Sequence, residues 1–232
     1  MSKKIKTTFP IDQVIQLAIV VDKQQGFVKS GYGYYDHKNE KSIFDNKSAI
    51  VNILVGNDEM PEISQEVIQQ AEEIKETMRN NLIAKKLMGT LNNFETSVSD
   101  ILSKDEADGF AISIIASLPN SFRVQKKRDA LDEWFDDMRN KSEFVGKVGD
   151  RLKLDVLIKD VKYINKFGIH LVTCVTDDEN IIKFFFNREP DIIGLIEGKR
   201  FAMTGKIKTL DVSKFSKCKE SVFNYVKLEE SA

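Results

Sequence analysis

Two residues late in the chain, Lys183 and Phe185, stand two apart in the run IIKFFFN, and on a β-strand that spacing places both side chains on one face. A cation for phosphate beside an aromatic face for a base is what single-strand recognition uses, with stacking worth about 1 to 3 kcal/mol per base. The same two residue types recur nearby. Tyr163, Lys166, Phe167 and His170 precede this run, Lys206 and Lys208 follow it, and Lys214, Phe215, Lys217 and Lys219 crowd the stretch SKFSKCKE. Basic residues interleaved with aromatics favour nucleic acid over an acidic protein partner. A plainer reading stays open, in which Phe185 packs under neighbouring helices and the lysines form a solvated face.

Other chemistry finds less support. Asp132, Glu133, Asp136 and Asp137 make two adjacent acidic pairs, and clustered carboxylates can hold a hard cation for phosphoryl transfer. No nucleophile, phosphate-cradling glycine loop or partner histidine accompanies them, so they read as solvated helix faces, with no catalytic residue and no enzyme activity expected. Cys174 and Cys218 are the only cysteines and His37 and His170 the only histidines, which excludes a disulfide framework and gives no zinc-ligand spacing. No metal or cofactor is expected.

Formal net charge is −1, yet the charge is unevenly spread. Residues 1 to 145 carry 19 Lys and Arg against 23 Asp and Glu, whereas residues 146 to 232 carry 16 against 13. Between residues 199 and 227 eight cations meet only Asp211 and Glu220. That is a local basic surface on a near-neutral chain. With 41% hydrophobic and 31% charged residues the chain reads as globular, and apolar stretches such as Leu17 to Val21 fall far short of a bilayer span. The opening MSKKIKTTFP lacks the apolar core of a signal peptide, so a cytoplasmic location without membrane contact is expected.

These residues need elements to position them. From Pro10 to about Gln25, apolar residues recur at helical spacing up to Gly26, predicting a buried helix. Gly31, Gly33 and a polar run then predict a loop or short hairpin, whose Tyr32, Tyr34 and Tyr35 could stack on bases or lid a core. Two phases of apolar spacing between Ser64 and Leu102 predict a long amphipathic helix kinked or split near Asn80 to Lys85, with Gly89 just beyond. Further helices are expected over Glu106 to Leu118 and Ser121 to Asn140, separated at Pro119, with the single tryptophan, Trp134, packing inward.

After Lys141 the apolar period changes from 3.6 to 2, which places a domain boundary near Ser142 to Gly149. RLKLDVLIKDVKYI alternates as a long first strand, Asn165 to Gly168 turn the chain, and IHLVTCVT and IIKFFFN follow as strands. Alternation assigns Ile169, Leu171, Thr173 and Val175 to the interior and His170, Val172, Cys174 and Thr176 to the outside; in the next strand Ile182, Phe184 and Phe186 are core. Residues Glu189 to Ile196 read as a short helix, and two strands complete the order: three strands, a helical linker, two strands. The fold class is therefore α+β, a mainly helical domain over residues 1–141 followed by a five-stranded barrel over 142–232.

That strand order, with Gly149 opening the first strand, the pair VTCVTDDENIIKFFF and the stretch LIEGKRFAMTGKIK centred on Gly205, resembles OB-fold nucleic-acid-binding domains of the anticodon-binding and single-strand-binding type. The resemblance covers about 85 of the 232 residues. It implies a five-stranded Greek-key barrel that binds single-stranded DNA or RNA across its second and third strands, between the loop joining strands one and two and the loop joining strands four and five. The site would comprise the twelve lysine, aromatic and histidine positions named above. The pairing of a helical half with such a barrel is similar to phage or mobile-element replication accessory proteins, which implies replication or recombination proteins as partners of the helical half. The alternative is a protein adaptor that uses the barrel and acidic helices without nucleic acid.

Overall fold

The computed structural model describes residues 7–190 and 194–230, and the chain divides into two compact units, residues 1–126 and 127–232. In the first unit the helix α1 (Ile11–Gln25) turns a broad apolar face to the core and keeps Asp12, Lys23 and Gln24 in solvent. Val14, Ile15, Leu17 and Ala18 are fully buried in it. Around it lie α2 (Asn46–Leu54), α3 (Gln65–Leu87), α4 (Asn93–Leu102) and α5 (Gly109–Ile115), while β1 (Phe9–Pro10) pairs with β4 (Glu106–Ala107). A hairpin of β2 (Tyr34–Asp36) and β3 (Lys41–Ile43) carries the tyrosine cluster; Tyr32, Tyr34 and Tyr35 are all exposed and lid no core within the unit.

Two helix boundaries differ from the expected ones. The helix α3 runs through Asn80 to Lys85 without a break and stops where Gly89 takes φ 66°, with the Thr90 N–H returning to the Lys85 carbonyl. Glycine enters that left-handed conformation without a Cβ penalty, and the Asn92–Glu95 capping box restarts the chain as α4. The apolar phase slip needs no break because Leu87, which opens the second phase, points to solvent. The break expected at Pro119 falls instead at Ala116 and Ser117, and Pro119 lies in the first turn of α6 (Leu118–Met138), where its missing N–H would have no helical partner.

The second unit is a closed barrel of five strands, β5 (Arg151–Ile164), β6 (Ile169–Thr176), β7 (Ile181–Phe186), β8 (Arg200–Val212) and β9 (Lys219–Glu230). Their order around the barrel is β5-β6-β7-β9-β8, every pair antiparallel except β7 with β9. This closed mixed barrel is compatible with an OB-like barrel. Phe184, Phe201 and Phe223 fill its interior with Val156, Ile158 and Met203, all between 0% and 1% exposed. The helix expected over Glu189 to Ile196 falls partly on residues 191–193, which lie outside the described residues. The division at 126/127 rather than 141/142 has a physical cause, since the last turns of α6 pack on the barrel through Trp134, Phe135 and Met138. Among the described residues no helix is long and apolar enough to cross a membrane.

One strand is turned over relative to the alternation. In β6 it is Val172 and Cys174 that enter the barrel core, which reverses the assignment of Ile169, Leu171, Thr173 and Val175 to the interior. Val172, Thr173 and Cys174 are all 4% exposed or less, so this strand is buried on both faces and its alternation carries no direction. Cys174 behaves there as a small hydrophobe, its thiol pKa pushed far up by burial. In β7 the expected register stands, with Ile182 and Phe184 inside and Phe185 outside.

Candidate nucleic-acid interface

The outer face of β6 and β7 is where the resemblance places a bound strand, and α6 covers it from Val175 and Ile181 to Lys183. Val175 and Ile181 stand opposite one another on that face and pack with Met138, Trp134, Phe135 and Cys218 in a second small core. Trp134 and Phe135 touch at 5.0 Å between ring centroids, and the Lys159 ammonium sits 5.5 Å from the indole. At the start of this stretch Lys127 reaches Asp160 at 3.1 Å and Glu197 at 3.3 Å. Burial opposes the Lys127 charge, but the hydrogen bonds and charges of Asp160 and then Glu197 outweigh it and raise its pKa above the ordinary lysine value. The solvent side of the same helix carries exposed Asp132, Glu133, Asp136 and Asp137, partly paired with Arg128 and Arg139.

Lys183 is thereby taken out of play. It points outward from β7, but its Nζ lies 2.8 Å from Glu220 Oε1 on the parallel neighbour β9, with side chains 14% and 8% exposed. Ser216 Oγ donates to the same carboxylate oxygen at 2.5 Å, and the ammonium faces the Phe135 ring at 5.2 Å. Cys218 is buried beside this pair; burial, with the Glu220 charge, pushes its thiol pKa up. A fully compensated cation under an aromatic roof has no charge left to offer a phosphate.

The remaining expected site residues fall into three groups. At the β5–β6 turn, the Tyr163 and His170 rings lie 4.9 Å apart at a 45° tilt, Lys166 lies over exposed Phe167, and Phe185 is 47% exposed one row away beside Leu171. At the opposite end of these strands, the β8–β9 loop is closed by Ser213 and Cys218: the Ser213 N–H donates to the Cys218 carbonyl at 2.9 Å, while Ser213 Oγ accepts from the Phe215 and Ser216 N–H groups. This tight frame holds Lys214 and Lys217 at the surface and leaves Phe215 97% exposed. Lys219, in contrast, is bound to Glu143 at 2.6 Å. Lys206 and Lys208 form the third group, exposed along β8.

Sequence reasoning missed Arg151, Lys153 and Tyr225 and counted Lys227 only within the basic excess of residues 199 to 227; the four cluster with Lys206 on the outer surface of β5, β8 and β9. The i, i+2 spacing of Arg151 and Lys153 at the head of a strand was the available signal. Among the described residues no group of three or more His, Cys, Asp or Glu side chains is arranged to hold a metal ion. No family model, curated protein or solved structure matches the chain.

Proposed function

We propose that the barrel is a module for binding single-stranded nucleic acid, DNA in replication or recombination, and that the helical unit engages protein partners. The observation that carries this reading is a closed barrel in an OB-compatible strand order that exposes cations with no ion pair among the described residues together with exposed aromatic rings, Phe215 and Tyr225 foremost. Support for the second part comes from α3, whose Ile83 and Leu87 present an exposed i, i+4 apolar pair near its end, with Met88 beside them. The decisive experiment is fluorescence anisotropy of labelled oligo-dT, single-stranded and in duplex form, over a salt series. Preference for the single strand and a negative salt slope of about 0.7 per phosphate contact are expected. Absence of any oligonucleotide binding would leave the adaptor reading, which the acidic solvent side of α6 favours.

A further inference from the structure

Away from α6, the outer surface of the barrel is formed by the start of β5, by β8 and by β9. Arg151 stands directly opposite Lys206, and Lys206 opposite Asn224; one row on, Thr204 has Lys153 on one side and Lys227 on the other. Four cations thus occupy neighbouring positions on three adjacent strands. Lys153 has one exposed carboxylate partner, Glu229 at 3.5 Å, whereas Arg151, Lys206 and Lys227 make no ion pair among the described residues. Like charges directly opposite on antiparallel strands repel. A polyanion lying across them would relieve that repulsion.

An aromatic ring stands in the same patch for a separate reason. Thr204 pairs with Lys227 and Lys206 with Asn224, so Tyr225 and Val226 together oppose Gly205, which is a β-bulge. At this bulge Tyr225 takes φ 55°, a conformation that bulky residues rarely adopt, and its ring is 76% exposed. Gly205 fits the device: a Cβ there would lie 3.1 Å from side-chain atoms of both Phe223 and Val226, so a larger residue would press these two side chains outward by a few tenths of an ångström. The backbone strain is accompanied by a large π-face turned outward beside Arg151, Lys206 and Lys227, which make no ion pair among the described residues.

We propose, resting on the reading that the barrel binds single-stranded nucleic acid, that the strand crosses β5, β8 and β9, with phosphates on Arg151, Lys206 and Lys227 and one base stacked on Tyr225. This is not the β6–β7 face implied by the resemblance, which α6 covers from the turn-end pair Val175–Ile181 to Lys183.

Labelled oligo-dT titrated with the full chain tests the placement. Tyr225→Ala should weaken binding roughly 5- to 150-fold with an unchanged salt slope, as loss of one stacked base does. Tyr225→Phe should bind within about twofold of the wild type, because the π-face is kept. Tyr225→Gly accepts the left-handed conformation without strain, so it should lose affinity like the alanine variant while melting no lower than wild type, which separates a binding role from a structural one. Arg151→Ala and Lys206→Ala should each flatten the salt slope by about 0.7. Phe185→Ala serves as the control on the other face and should leave affinity unchanged. If the wild type binds oligo-dT but only the Phe185 variant loses affinity, this placement is overturned while the barrel remains a nucleic-acid module. Equal binding of duplex or of a poly-glutamate peptide would overturn the stacking of a single strand here, and a wild type that binds no oligonucleotide overturns the module reading itself.

Discussion

The β6–β7 face and the β5–β8–β9 face of the barrel start from similar material and end differently. Each has outward lysine and an outward aromatic ring close by, Lys183 with Phe185 on one and Lys206 with Tyr225 on the other. On the first, Glu220 stands on the neighbouring strand within 2.8 Å of Lys183, and Phe135 of α6 closes over the pair. On the second, the residue opposite Lys206 is another cation, Arg151. A lysine in a strand is therefore an incomplete statement about binding. What decides its availability is the residue that the sheet register puts beside it, and whether a helix roofs the row.

The sharpest way to break this contrast is to remove the compensating charge on the roofed face. Glu220→Ala leaves Lys183 desolvated and alone, which should lower barrel stability by about 3 to 5 kcal/mol. Urea unfolding followed by far-ultraviolet circular dichroism measures it. The double variant Lys183→Met with Glu220→Leu should recover most of the loss, because a well-packed apolar pair replaces a buried ion pair at little net cost. A small effect of the single variant would mean that water reaches Lys183 and that the roof is open.

Thinning the roof should have a smaller effect. Phe135 is only partly buried and packs beside Trp134, Val175 and the Lys183 ammonium, so Phe135→Ala should cost about 1 to 3 kcal/mol, below the range for a fully buried phenylalanine. Trp134, the single tryptophan, reports it directly, and its emission should shift to the red as the indole loses its neighbour. Unchanged emission would show that the last turns of α6 do not depend on this contact.

Much of the barrel was legible because alternation survives wherever one face meets the core and the other meets water. β5 satisfies that condition in Val156 and Ile158 against exposed Lys153 and Asp155, and β7 only at its end, in Phe184 against exposed Phe185, since Ile181 and Lys183 on its outer side lie under α6. β6 does not, since α6 buries its outer side, and a strand dry on both faces gives no phase. The fate of Lys183 was hidden for another reason. Its partner lies 37 residues away and is brought alongside by the one parallel pairing in the barrel, which no local pattern encodes. Tyr225 was invisible because nothing in SVFNYVKL marks a tyrosine at positive φ; the bulge follows from the closure of β8 on β9 around Gly205. The helix ends were readable only where backbone chemistry set them, as at Gly26, and misplaced where the apolar phase was followed instead of Gly89.

The smallest expected effect is also the one that separates stability from binding on the bare face. Arg151 and Lys206 form a directly opposed like-charge pair, so Lys206→Glu converts repulsion into attraction at that position. Cross-strand pairs of opposite charge are worth roughly 0.2 to 1 kcal/mol, and the gain should appear as a modest rise in melting temperature at low salt that fades as salt screens the pair. The same substitution removes one phosphate-binding cation, neutralises a second and adds a negative charge, so affinity for oligo-dT should fall and the salt slope should flatten by about 1.4, the equivalent of two contacts. Lys183→Glu on the roofed face would instead set two carboxylates against each other beneath α6 and destabilise the fold without the binding signature. Opposite signs for stability and affinity at residue 206 would mean that the bare face keeps its repulsion for a ligand's sake. A fall in both, or a rise in melting temperature with affinity intact, would leave Arg151 and Lys206 as surface charges with no strand to hold.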